Sequence, residues 1–138
     1  MRVILILDYK NGMLFNHRRQ SKDLAISKKI EKLLSGGKLF LNPYSKELFQ
    51  NTDIRLVMDD DFLHKAGKED YCFVEDKGLL DVKNDIDEFV IFRWNRQYPS
   101  DLSLDVLPEE SGMTCIYSEE FAGRSHDRIT MERWDKEI

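Results

Sequence analysis

Between an aliphatic run, Val3-Ile4-Leu5-Ile6-Leu7, and a helix-like pattern that starts near Ser21 lies a segment dense in reactive groups, Asp8-Tyr9-Lys10-Asn11-Gly12-Met13-Leu14-Phe15-Asn16-His17-Arg18-Arg19-Gln20-Ser21-Lys22-Asp23. Asp23 offers a carboxylate that can act as a general acid where burial raises its pKa. Arg18 and Arg19 carry forked guanidinium groups suited to a phosphate or carboxylate. Asn11, Gly12, Phe15, Asn16 and Gln20 complete the candidate binding residues of this segment. Further on, Phe92-Arg93-Trp94-Asn95-Arg96 sets an aromatic between arginines, a combination that stacks on a base or another planar ring. A turn from Asn95 to Pro99 can bring Trp94 beside the Arg18 loop. One cationic and aromatic cleft is therefore expected, with Asp23 at its base and Arg19 and Trp94 converging on it.

Each of these residues has a plainer alternative. Asp23 can be a first-turn aspartate that stabilises its helix, Phe15 and Leu14 can close the core, and the arginines can form surface ion pairs with the abundant acids. Trp94 can end a core strand. Asp59-Asp60-Asp61 could hold a divalent cation, but Phe62 follows at once and calcium-loop spacing is absent. His17, His64 and His126 lie far apart in sequence without zinc-motif spacing, so no metal is expected.

The elements that must position these groups alternate at first. Val3–Leu7 reads as a strand buried on both faces. Ser21 suits an N-cap, and Ile26, Ile30, Leu33 and Leu34 recur at helical spacing until Gly36-Gly37. Lys38–Leu41 reads as a second strand parallel to the first, because a helix intervenes. Asn42–Ser45 makes a turn in which Ser45 caps a short helix through Phe49. Strands at Ile54–Met58 and Tyr71–Glu75 follow, separated by a helical turn at Phe62–Ala66. From Asp87 onward only strands are expected, at Glu88–Trp94, Leu102–Val106, Thr114–Glu119 and Asp127–Trp134.

The 138 residues, 41% of them hydrophobic, suit one domain over positions 1–138. A formal charge of −5 would repel a polyanion, so nucleic-acid binding would have to rely on the Arg18/Arg19 and Arg93/Arg96 patches. Cys72 and Cys115 lie in apolar stretches and read as reduced core residues. Neither a leader nor an apolar run of about 18 residues appears, so a cytoplasmic location without membrane contact is expected.

In this order the residues resemble the dihydrofolate reductase family over nearly the whole chain. In that family a first buried strand leads into a mobile loop with a Gly-hydrophobic pair, matched here by Asn11-Gly12-Met13. A helix follows whose first turn carries the acidic residue of the pterin site. Ser21-Lys22-Asp23-Leu24-Ala25 is similar to that start, which implies that Asp23 stands in the catalytic acid's place. Leu41-Asn42-Pro43-Tyr44-Ser45 occupies the family's Met-Gly-Arg-x-Thr type turn, making Ser45 a binding candidate. The family's arginine for the folate glutamate tail falls near Thr52, with Arg55 three positions away. Phe89–Trp94 resembles the long strand after the cofactor loop, and Ser118-Glu119-Glu120-Phe121 to Trp134 the closing hairpin. The implied fold is α/β and three-layered: a dihydrofolate reductase-like mixed sheet with a parallel N-terminal βαβαβ part and antiparallel C-terminal strands.

Departures from the pattern bear on activity. Such reductases hold the cofactor pyrophosphate on a Gly-Gly loop opening a helix. Here only Asp76-Lys77-Gly78-Leu79-Leu80-Asp81 and a few polar residues separate the Val74 strand from the Phe89 strand, so that strand, loop and helix are expected to be missing. Pro43 replaces a basic residue and supplies neither charge nor N–H. The expectation is a binding or regulatory module with a remnant pocket for a pterin, a nucleotide or another small planar ligand, with no cofactor named. Two alternatives are an oxidoreductase with altered cofactor use and an RNA-binding or ribonuclease-like protein. A resemblance to chains called ribonuclease Z would imply the latter, yet their His-x-His-x-Asp-His metal run is absent. An edge strand left open by the missing segment would suit a homodimer.

Overall fold

A β-branched aliphatic strand with no polar alternation must be covered on both faces, and the architecture is built around that requirement. The computed structural model describes residues 1–136. Its elements are β1 (Arg2–Leu7), β2 (Gly12–Phe15), β3 (Arg18–Arg19), α1 (Leu24–Leu34), β4 (Lys38–Leu41), β5 (Arg55–Met58), β6 (Tyr71–Phe73), β7 (Glu88–Arg93), β8 (Leu102–Ser103), β9 (Thr114–Phe121) and β10 (Ile129–Asp135). Seven strands form one mixed sheet in the order β5-β4-β6-β1-β7-β10-β9, and β3-β2-β8 form a small second sheet.

The alternation of β1 splits the core in two. Val3, Leu5 and Leu7 join Phe89, Ile91, Phe62, Leu79 and Met113 on one face. Ile4 joins Val90, Phe92, Trp94 and the buried stripe Ile26, Ile30 and Leu34 of α1 on the other. Asp23 caps that helix, so Asp23 and Trp94 lie on the same side of the sheet.

Several boundaries differ from the sequence reading. The N-cap is Asp23, whose carboxylate accepts from the Ala25 N–H, and not Ser21. The second helix is a 3₁₀ helix, Pro43–Phe49, with Asn42 at its N-cap and Ser45 inside it. Proline at its start fixes φ without losing a bonded N–H. The strand expected at Tyr71–Glu75 runs over Tyr71–Phe73, between β4 and β1, and a 3₁₀ turn at Leu80–Asp85 stands where the family's loop and helix would follow. β7 runs parallel to β1, and antiparallel pairing begins with β10 and β9. No edge opens at the replaced segment; the sheet edges are β5 and β9. Another 3₁₀ turn, Pro108–Glu110, interrupts the C-terminal strands.

The reactive segment after β1 is a hairpin where a loop was expected. Phe15 pairs with Arg18 across Asn16 and His17, whose φ values of 50° and 61° make the two-residue turn that suits a twisted hairpin. Buried Asp8 fixes its base by accepting from the N–H groups of Lys10 and Gly12 at 2.8 Å each, from Gln20 Nε2 and from the Tyr98 N–H. A Cβ at Gly12 would lie 2.7 Å from that carboxylate, so the approach requires glycine.

Among the described residues no helix is long and apolar enough to cross a membrane. Both cysteines are free; Cys72 on β6 is buried, and that burial pushes its thiol up to about 12, whereas Cys115 is not the core residue expected but is exposed on edge strand β9. Titration of the native protein with a thiol reagent is therefore expected to modify one cysteine promptly, and the second only at the rate of unfolding. Two prompt equivalents would contradict the central position of β6.

Candidate functional site

The N-terminus of α1 presents unsatisfied N–H groups, and a carboxylate at the N-cap is the ordinary way to satisfy them. Asp23 does more than cap. Its side chain is fully buried, and besides Ala25 it accepts from the backbone N–H groups of Arg124 at 2.9 Å and Ser125 at 2.8 Å and faces His126 Nδ1 at 3.0 Å. Gly123 makes the approach possible, because a Cβ there would lie 2.5 Å from Asp23 Oδ2. Burial pushes the carboxyl up, but the N–H groups of Arg124, Ser125 and Ala25, with His126, outweigh it and hold Asp23 down to about 2. The raised pKa on which a general-acid role depends is therefore not met.

His126 is the residue that sequence reading missed. No motif spacing sets it apart from His17 and His64, and its sequence neighbours give no sign that the β9–β10 loop returns to the start of α1. Its ring stacks on Trp94 with centroids 4.2 Å apart, and Nε2 meets Ser21 Oγ at 2.9 Å and the Tyr98 hydroxyl at 3.2 Å. Trp94 is 3% exposed. A tryptophan so buried, with an imidazole on its face, is not an open platform for a planar ligand. Asp23 and Trp94 thus meet through His126.

Arg19 turns elsewhere. Its Nε and Nη2 bind Glu75 at 2.9 and 3.1 Å, a further N–H reaches Glu47, and the guanidinium lies 4.6 Å from the centre of the Tyr44 ring. Ser45 Oγ donates to the same Glu75 at 2.7 Å, and Asn42 Nδ2 donates to Asp76. Arg93 is held by Glu132 and by Asn11 Oδ1 at 2.9 Å. Of the two arginine patches, Arg19 and Arg93 are therefore neutralised internally, which weakens both as polyanion sites. Arg55 is exposed on edge strand β5, away from these groups.

Phe15, Asn16, Arg18, Arg19 and Gln20 line one cleft of about 480 Å³ with Tyr98 and Pro99. Phe15 is 43% exposed there, and Gln20 Oε1 is buried without a hydrogen-bond partner. Asp23 borders a separate cavity of about 270 Å³ with Lys22, Leu24, Ser27, Glu47, Leu48, Asn51 and Ser125. Among the described residues no group of three or more His, Cys, Asp or Glu residues could hold a metal ion.

Because the folded pKa of Asp23 lies below its ordinary value, its contribution is complete above about pH 4 and is lost as pH falls through about 2. About 2 kcal/mol of stability is expected to disappear over that window, and Asp23→Asn should remove it at neutral pH at a cost of about 2–3 kcal/mol. Acid and urea titrations of both proteins check this; equal acid sensitivity would contradict the network. Gly123→Ala is expected to cost about 1–3 kcal/mol in the same urea titration, since Asp23 and the His126 carbonyl would both have to shift.

No family model matches the chain, and no curated protein matches it. Among solved structures, dihydrofolate reductase from Enterococcus faecalis, complexed with NADP(H) and RAB-propyl, superposes with a TM-score of 0.66 at 7% sequence identity, over 97% of this chain and 94% of that one. At that identity the likeness is one of fold. The chain has an α/β, dihydrofolate reductase-like fold with a mixed parallel and antiparallel sheet.

Proposed function

We propose that the protein is a binding module on this fold, which holds a small planar ligand with an anionic part in the cleft of Phe15, Arg18, Gln20 and Tyr98 and performs no nicotinamide-dependent hydride transfer. The observation that carries the reading is the composition of that cleft. Arg18 is exposed and forms no ion pair with a described residue, and Phe15 offers a ring face. A pterin or a nucleotide combines both complements: a ring and, in the conjugated pterin or the nucleotide, an anionic tail.

Support against reductase chemistry comes from the neighbouring groups. The connection from β6 to β7 is a 3₁₀ turn, Leu80–Asp85, where the resemblance implies a Gly-Gly loop opening a helix. Glu47, Glu75 and Asp76 gather after β4 and β6 around the single guanidinium of Arg19, so the cluster keeps a net negative charge that disfavours a polyphosphate. The neighbour's NADP(H) therefore does not carry over to this chain. A cytoplasmic location is part of the same proposal, since free Cys72 and Cys115 suit a reducing compartment.

Thermal shifts against pterin, folate, dihydrofolate, NADPH and mononucleotides test the reading. A ligand at 100 times its Kd should stabilise the native state by about 2.7 kcal/mol, and Arg18→Ala should abolish the shift. No shift at millimolar concentrations, or a shift untouched by Arg18→Ala, sinks the proposal.

A further inference from the structure

We propose that Ser21, His126 and Asp23 constitute a hydrolytic site for small carboxylic esters, with Ser21 as nucleophile, His126 as base and Asp23 as the residue that positions the imidazole. Ser21 Oγ lies 2.9 Å from His126 Nε2, and His126 Nδ1 lies 3.0 Å from Asp23 Oδ2. These are the contacts a serine needs for activation, in a chain order that has no bearing on the chemistry.

The protonation pattern follows from the partners. An ionised Asp23 accepts only, so the Nδ1 of a neutral imidazole carries the proton and Nε2 presents its lone pair to the Ser21 hydroxyl. Trp94 stacks on the ring at 27° from parallel and restricts its rotation. The helix cap does not require this extension, because Asp23 already accepts from three backbone N–H groups. Tyr98 shares the Nε2 lone pair at 3.2 Å and has to yield it when Ser21 reacts.

Space adjoins the base. His126 borders a cleft of about 660 Å³ together with Trp94, Arg96, Ser125 and Arg128. Its volume admits a small acyl group. In the reaction Oγ bonds to the acyl carbon, the ester C–O bond breaks, and the serine proton passes through His126 Nε2 to the leaving alcohol. Water then hydrolyses the acyl-serine, giving its own proton to Nε2 and returning it to Oγ.

A fluorophosphonate probe on the full chain tests this without knowledge of the natural ester. Oγ displaces fluoride from phosphorus, and the proton leaves with it as HF. One adduct located on Ser21 by peptide mass spectrometry is expected, absent in Ser21→Ala and absent in urea. Asp23→Asn is expected to slow inactivation at saturating probe by about 10³-fold or more, with the half-saturating concentration unchanged. A folded wild-type protein that takes no adduct, or takes it at another residue, overturns the proposal. An undiminished rate in Asp23→Asn overturns the positioning role of Asp23.

Discussion

One buried carboxylate joins two ends of the chain that the fold must hold together. Asp23 ends the approach to α1 and, about a hundred positions later, organises the turn between β9 and β10. Each N–H group it takes would otherwise sit beside the core without a partner, and an unpaired buried donor costs about 1–3 kcal/mol. Glycine at 123, the stacking of Trp94 on His126 and the direction of the Ser21 hydroxyl are all consequences of where that carboxylate lies.

The same device recurs in a chain that carries more acid than base. Asp8 gathers two N–H groups of its own loop, the amide of Gln20 and the N–H of Tyr98, so the hairpin of β2 and β3 and the turn after β7 share one anchor. Glu75 does so for Arg19 and Ser45. Interior carboxylates thus serve as staples between segments distant in sequence. A helix-rich protein would satisfy more of these N–H groups within its helices, and here α1 is the one α-helix among the described residues.

Elements governed by local chemistry were legible. β1 announced itself by an unbroken aliphatic run, and α1 by a stripe at 3.6-residue spacing. The dihydrofolate reductase-like arrangement is what the resemblance of Asn11-Gly12-Met13 and Ser21-Lys22-Asp23-Leu24-Ala25 to that family implies. What failed depended on distant partners. The N-cap was assigned to Ser21 because a hydroxyl and a carboxylate cap equally well on sequence grounds, and only the loop at 123–126 decides for Asp23. β2 and β3 are hidden because their turn uses Asn16 and His17 with positive φ, without the glycine that usually marks such a hairpin turn. His126 carries no local mark at all; its importance lies in Asp23, Trp94, Tyr98 and Ser21, which no spacing rule connects to it.

The pairing of β1 has a bearing on how the molecule comes into being. Arg2 lies opposite Tyr71 on one side and Glu88 on the other, so β1 is synthesised 69 residues before one neighbour and 86 before the other. At synthesis rates of about 5–20 residues per second, the most apolar segment of the protein waits for several seconds without its sheet. Non-local strands also close slowly once available, since the entropy of the intervening loop is lost before the contacts are gained. The cell therefore handles this protein, for a time, as an exposed Val-Ile-Leu-Ile-Leu sequence, and its yield depends on how well that interval is guarded as much as on the stability of the finished sheet.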